Sequence, residues 1–508
     1  MGQDCSPADM VSTLWTLAGG DPAALAYLRL VGRDPVLPSS FKIGAAAQAC
    51  IAAAGLAAGE LRHHAGAPRQ QVGVDMRHAA IEFCSERYLS IDGKPPESYF
   101  GPFSGMYRAG DGRLVRLHMT FEHHRDNVIK LLGCAPTREA IQEALEKWEA
   151  IAFETVAYDN GCVVSAMRSP QEWAKHPQAA AVATVPLLQI ERIDDAPARP
   201  LPQGPRPLSG IRVLDLTRIL AGPVAARTLA AHGADVMLIS APDLPFISWL
   251  VKDTGRGKMS AYADITALAG QAALRQLVKN ADIFLQAFRP GALASRGFGP
   301  MDLAALRPGI IYVSLSAYGD TGPWASRRGF DSLMQTVSGF NYAEAEAAGI
   351  RGAKELPCQA IDHASGYLLA FGAIMARIRQ ATEGGSWLVR VSLASTGRWL
   401  WNLGRVEGGF SCRIPSLDDI QDLLETSQSP LGTYRSVRHA AQLLRPPRLG
   451  PDRPCPSALI HPHGRVLLAI VRGVTMRRAH VLGSQVHWGT GCIVQRRGRD
   501  LKTSVNKL

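Results

Sequence analysis

Between Leu208 and Val313, short apolar runs alternate with stretches of helical spacing. Ile211, Val213 and Leu214 lead to Asp215 as one strand, and Val236 to Ile239 form a second; Ile283 and Ile311–Val313 mark two more. Strands separated by helices predict an α/β domain on a parallel sheet. After the first strand comes Ala221-Gly222-Pro223, which opens an Ala-rich helix. Glycine there lets backbone N–H groups approach a ligand, and proline suits a helix first turn. Strand, turn and helix N-terminus together make a phosphate-binding geometry. The three-glycine spacing of a dinucleotide fingerprint is absent, so a nicotinamide site fits poorly.

Upstream the pattern is different. Ala45 to Ala58 suits a helix of small residues, and Gly105–Met119 reads as a hairpin turning at Asp111-Gly112. Thr137–Gly161 predicts one helix, with Thr137 as N-cap and Ile141, Leu145, Trp148 and Ala152 at helical spacing. A Pro-rich stretch, Asp194–Gly210, reads as a linker. After Leu443 periodicity fails. The expected organisation is a mixed α+β region over 1–203, an α/β domain over 208–443, and a basic, poorly ordered tail over 444–508.

Composition changes the picture in one respect. The formal charge is +11, which would suggest an acidic partner. Yet residues 441–508 hold 12 Lys+Arg against 2 Asp+Glu, so the rest of the chain is nearly neutral. The basic balance belongs to the tail and gives no argument for nucleic acid. The nine cysteines include no CxxC pair, which favours reduced thiols in an intracellular setting. No metal-ligand spacing occurs. The soft apolar run from Ile43 to Gly59 reads as a packed helix, and no membrane span is expected. Met1-Gly2-Gln3-Asp4-Cys5-Ser6 fits the loose myristoylation pattern, and Asn506-Lys507-Leu508 is one residue from a peroxisomal signal. The expected location is cytoplasmic, with that C-terminus as a weak peroxisomal address.

Five segments in one order carry more specific information: Pro207–Ile239, "RGKMSAYADI" (Arg256–Ile265), "ADIFLQAFRPGAL" (Ala281–Leu293), "RPGIIYVSLSAYGDTGPWASRRGFD" (Arg307–Asp331) and "LPCQAIDHASGYLLAFGAI" (Leu356–Ile374). Over about Pro207–Arg405 the chain resembles the family III CoA-transferases, the CaiB/BaiF group that includes acyl-CoA racemases. Cys162–Gln178, with the hairpin and helix before it, resembles the family's later, small-domain half, placed here in front.

The resemblance implies a parallel-sheet CoA-binding domain and a transferase with no permanent cofactor, acyl-CoA being its substrate. It also implies a carboxylic acid acceptor and a homodimer. Asp362 matches the family nucleophile, whose carboxylate attacks the thioester and becomes an aspartyl-CoA thioester. From the residues alone, an aspartate there reads more readily as a helix N-cap, and the resemblance is what turns it into the nucleophile. His363 reads as a positioning or surface residue. Gly319, Gly322 and Asp331 are the candidates for oxyanion donors or supporting groups. Arg218, Leu220, Ala221 and Phe288 match CoA contacts, and Arg256, Lys258, Arg289 and Arg296 are candidate phosphate partners. Two positions depart from the family: Ser240-Ala241 replaces a carboxylate, and Ala287 replaces an asparagine. The alternatives are an α-methylacyl-CoA racemase-like enzyme, disfavoured because Phe330 stands where that branch has histidine, and a catalytically weak CoA-binding subunit.

Overall fold

The computed structural model describes residues 5–96, 100–241 and 243–444, with the backbone of 470–471 and 474–476. Its centre is a nine-stranded sheet. In chain order the strands are β1 (Gln189–Asp194), β2 (Arg212–Leu216), β3 (Asp235–Ser240), β4 (Lys258–Tyr262), β5 (Ile283–Gln286), β6 (Ile311–Ser316), β7 (Ser386–Ser392), β8 (Ile470–Val471) and β9 (Val474–Met476). In space they run β8-β9-β4-β3-β2-β5-β6-β7-β1. The six strands from β4 to β7 are parallel, in register at Val213↔Val236, Val213↔Ile283 and Ile283↔Ile311. All four strands read from the apolar runs are in this sheet. Their near-continuous burial is that of a parallel sheet covered on both faces.

The chain runs outward from β2 to β3 and β4, then returns to lay β5 on the other side of β2. In open α/β sheets such a reversal opens a crevice beyond the carboxyl ends of the strands. The site lies there.

Five helices matter for it: α1 (Ile43–His64), α2 (Glu122–Leu132), α3 (Ala221–Ala231), α4 (Asp331–Val337) and α5 (Ala360–Glu383). By length and composition α1 is apolar enough to cross a membrane, but it is buried from Ile43 to Leu61. A helix apolar all round belongs in a core, and here α1 packs along α5, which packs in turn on α3. The N-terminal region therefore shares its core with the α/β unit.

The proposed linker is a bound strap. β1 pairs antiparallel with β7, Arg199 is 3.0 Å from Asp282, and Arg377 donates to the carbonyls of Arg199 and Pro200. The long helix expected over 137–161 is two helices, Arg138–Leu145 and Ala150–Asp159. Thr137 caps the first as expected. Between them, the carbonyl of Trp148 accepts a 2.8 Å bond from Gly110 N–H in the hairpin turn, and this tertiary bond coincides with the interruption. The hairpin is Gly105–Arg108 against Leu114–Leu117.

Most of the tail with its C-terminal address-like motif, and residues 1–4 of the N-terminal one, lie outside the described residues. The described part adds β8 and β9 to the sheet edge, where Ala261 pairs with Met476. Deleting residues 445–508 should keep turnover, because the register with β4 is two residue pairs long, while uncovering that edge strand. Comparing rate and aggregation of the truncated and full chains checks this.

Candidate active site at the strand switch point

A cavity of about 560 Å³ opens at the carboxyl ends of β2 to β6. Four of its walls follow strands: Leu216–Ala221 after β2, Ser240–Ala241 after β3, Ala263–Thr266 after β4 and Ala287–Pro290 after β5. Asp362 on α5 lines it as well.

The turn between β2 and α3 is built from beneath. Lys258 Nζ is 2.9 Å from Asp215 Oδ2 and donates at 2.9 Å to the carbonyl of Pro223. The other Asp215 oxygen accepts from Thr217 N and Oγ1. A buried pair that satisfies its remaining lone pairs fixes geometry well, and here it ties the end of β2 to the start of α3. Gly222 is needed because a Cβ would lie 2.4 Å from Thr217 Cβ. Ile219 takes a left-handed φ of 75° and faces the cavity. Such strain persists only where its surroundings enforce it.

Asp362 owes its position to a helix crossing. On α5, a Cβ at Gly366 would lie 2.6 Å from the carbonyl of Ala221, so glycine lets α5 ride directly on α3. Ser365 bonds Thr396 at 2.8 Å, and Tyr367 stacks on Phe83. The "SGY" part of the motif is thus packing that sets Asp362 above the turn. Gly366→Val should separate the helices and cost about 2–3 kcal/mol by overpacking; a denaturant titration measures it.

The N-cap role falls to a different aspartate. Asp331, at the start of α4, accepts from Asp362 N at 2.9 Å through Oδ2, and from Gln335 through Oδ1. Asp331 therefore serves the first turn of α5, and the Asp362 carboxylate is left without a hydrogen-bond partner among the described residues. Burial, then Asp331, then Glu86 push the Asp362 carboxyl well above the usual carboxylate range. Burial likewise pushes Asp331 up to about 6. His363 is fully buried, 3.2 Å from Glu86 and stacked on Phe83, so it is no surface residue.

Of the candidate CoA contacts, Arg218, Leu220, Ala221, Phe288, Arg289 and Arg296 line the cavity with Asp362. Arg256 and Lys258 do not. Arg256 is 3.1 Å from Asp253 and donates to Ser436 and Val437; Lys258 is the strut described above. Lys258 opens β4 and Arg256 precedes it, at the end of the strand away from the cavity, and each is engaged by an internal acceptor. Gly319 and Gly322 also lie off the cavity lining. Their loop is docked by Gln178, which donates to the carbonyls of Tyr318 and Thr321 at 2.8 and 2.9 Å.

Several lining residues escaped the sequence reading. Arg327 and Arg328 sat inside the quoted "ASRRGFD" motif. Asp243 lies just beyond Ser240-Ala241, where a carboxylate was missed. Phe121, His123 and His124 come from the N-terminal region, and their only signal was an adjacent histidine pair at a helix start. Among the described residues, no cluster of His, Cys, Asp and Glu could hold a metal.

Residues 208–408 match the family described as CoA-transferase family III. That segment belongs to CoA-transferase family III. An acyl-CoA transferase of Gibberella moniliformis is 28% identical over 468 residues, covering 83% of this chain and 80% of that one; the alignment therefore extends well beyond the family segment. The human succinyl-CoA:glutarate CoA-transferase is 33% identical, over 36% of this chain and 44% of that protein. A crystal structure of a CaiB/BaiF family protein from Brucella suis is 28% identical, covering 38% of this chain and 55% of that chain, with a TM-score of 0.33. The chain thus spans most of the fungal relative but under half of the human one. Within the family III segment lie the strand switch, the crossing of α3 and α5, and Asp362.

Proposed function

We propose that this chain is a CoA-transferase that moves CoA from an acyl-CoA to a carboxylic acid through a covalent intermediate on Asp362. The observation that carries the reading is the Asp362 carboxylate, which lines the switch-point cavity with no hydrogen bond of its own. A structural carboxylate in that position would be tied down.

The chemistry balances within these residues. The Asp362 carboxylate attacks the thioester carbonyl and expels CoA thiolate, leaving a mixed anhydride. The thiolate attacks the aspartyl carbonyl, the donor leaves as a carboxylate, and an aspartyl-CoA thioester remains. The acceptor carboxylate then reverses both steps, and Asp362 is regenerated. Each step exchanges one acyl bond for another, so no oxidant or metal is required. Ionisation of Asp362 opposes its burial. Its place in the first turn of α5 favours the charged form.

Arg289 and Arg296, which line the cavity on the β5 side, form no ion pair with a carboxylate among the described residues. They suit the phosphates of CoA. CoA is then a substrate, with no permanent cofactor. The donor and acceptor are the small-molecule partners.

Intact-mass measurement after mixing the protein with a panel of acyl-CoAs tests the reading. The expected result is a species heavier by CoA less water, and its loss in Asp362→Ala. A panel that leaves the mass unchanged while CoA binds would favour a CoA-binding subunit. Assembly is separately testable. The resemblance implies a homodimer, although Phe121, His123 and His124 wall the cavity from within the same chain. A light-scattering mass of one chain with turnover intact would refute the dimer.

A further inference from the structure

The cavity has one wall that the family III segment does not provide. It comes from the start of α2, where Phe121, His123 and His124 face the turn after β2 and the Arg327–Phe330 loop. His124 is only 3% exposed, yet its Nδ1 is shut off from water without a hydrogen-bond partner. Nε2 of the same ring also has no hydrogen-bond partner among the described residues and is not sealed in, so on this cavity-lining side chain it is the nitrogen left to meet a ligand atom.

The surroundings say what kind of atom. The His124 ring lies 5.5 Å from Phe121 and 6.0 Å from Phe330, edge-on to both. His118 stacks on Phe330 at 3.9 Å, completing the aromatic shelf. Phe330 immediately precedes Asp331, which bonds the backbone of Asp362. His124 therefore stands at the acyl end of the cavity. Burial, then His123, His118, Arg328 and Arg218, push its imidazole down to about 3. A neutral imidazole offers one donor and one acceptor without adding charge, while Arg218 and Arg328 supply a positive field suited to an anionic oxygen.

We propose that His124 is a substrate-contacting residue, donating a hydrogen bond from its imidazole to the carboxyl group of the acid that exchanges CoA at Asp362. The N-terminal half thereby takes part in selecting the acceptor. This inference rests on the transferase reading, and its test is arranged so that the two can fail separately.

Binding of glutarate to the full-length protein is followed by ligand-observed NMR, and binding of CoA by calorimetry, in wild type, His124→Ala and His124→Gln. The expected result is glutarate affinity about tenfold weaker in His124→Ala, largely restored in His124→Gln, with CoA affinity held within about twofold throughout. Turnover adds a split: KM for the acid should rise about tenfold while KM for acyl-CoA stays put. Glutarate affinity unchanged in His124→Ala, or a parallel loss of CoA affinity, would overturn the proposal. Carboxylate binding that depends on His124 in a protein without turnover would retain the contact and sink the transferase reading instead.

Discussion

Asp362→Asn should reduce transfer by about a thousandfold, on the order of 4 kcal/mol of barrier, and leave the fold at least as stable as wild type. The amide is nearly isosteric but cannot form the anhydride. Stability moves the other way because Asp362 is penalised in the folded state by burial, by Asp331 and by Glu86. A carboxyl raised on folding contributes stability that is complete below its unfolded value and is lost as pH rises through its folded one. For Asp331 that window runs from about 4, the unfolded value, to about 6. Both carboxyls should therefore make the wild type less stable from mildly acidic to neutral pH, and Asp362→Asn should flatten that slope. Thermal melts of the two proteins across that range check it. A variant keeping more than about a tenth of wild-type turnover would exclude Asp362 as the nucleophile.

Lys258→Met should cost about 3–5 kcal/mol, because it leaves Asp215 buried and charged without its partner. Lys258 is 7% exposed and Asp215 fully buried. The loss would also free the carbonyl of Pro223 and loosen the turn at Arg218–Ala221, so CoA binding should weaken along with stability. The double variant Lys258→Met with Asp215→Asn separates the causes, since it removes the stranded charge. Recovery of most of the stability would identify Lys258 as a strut. A Lys258→Met protein with wild-type stability but weaker CoA binding would return Lys258 to the role of phosphate partner. Denaturant titrations and calorimetry measure the two quantities.

The strands and helices of the parallel sheet were legible because they follow from local pattern, whereas the order of the strands around β2 was not. A strand of continuous apolar residues and an Ala-rich helix announce themselves within about ten positions, and the backbone must satisfy its own hydrogen bonds whatever lies nearby. Asp362, Arg218 and Phe288 were marked by the resemblance to the family motifs, with Arg289 as an available cation beside them, and the structure brings all four to the cavity lining. Whether a charged side chain faces the cavity is a different matter. Lys258 and Arg256 look as available in sequence as Arg289, and only the packing of Asp215 and Asp253 beside them decides that they point inward.

The division of labour between two aspartates was equally hidden. Asp362 occupies a first-turn position that favours a cap, but Asp331, 31 residues earlier, reaches that turn first and leaves Asp362 untied. The wall of Phe121, His123 and His124 was beyond any local reading, because it is brought to the cavity from a region more than 90 residues before Arg218. Sequence determined which elements form and which groups carry chemistry, since those depend on neighbours along the chain. Tertiary structure alone decided which of those groups meet, since burial and long-range hydrogen bonds choose among side chains that local chemistry treats alike.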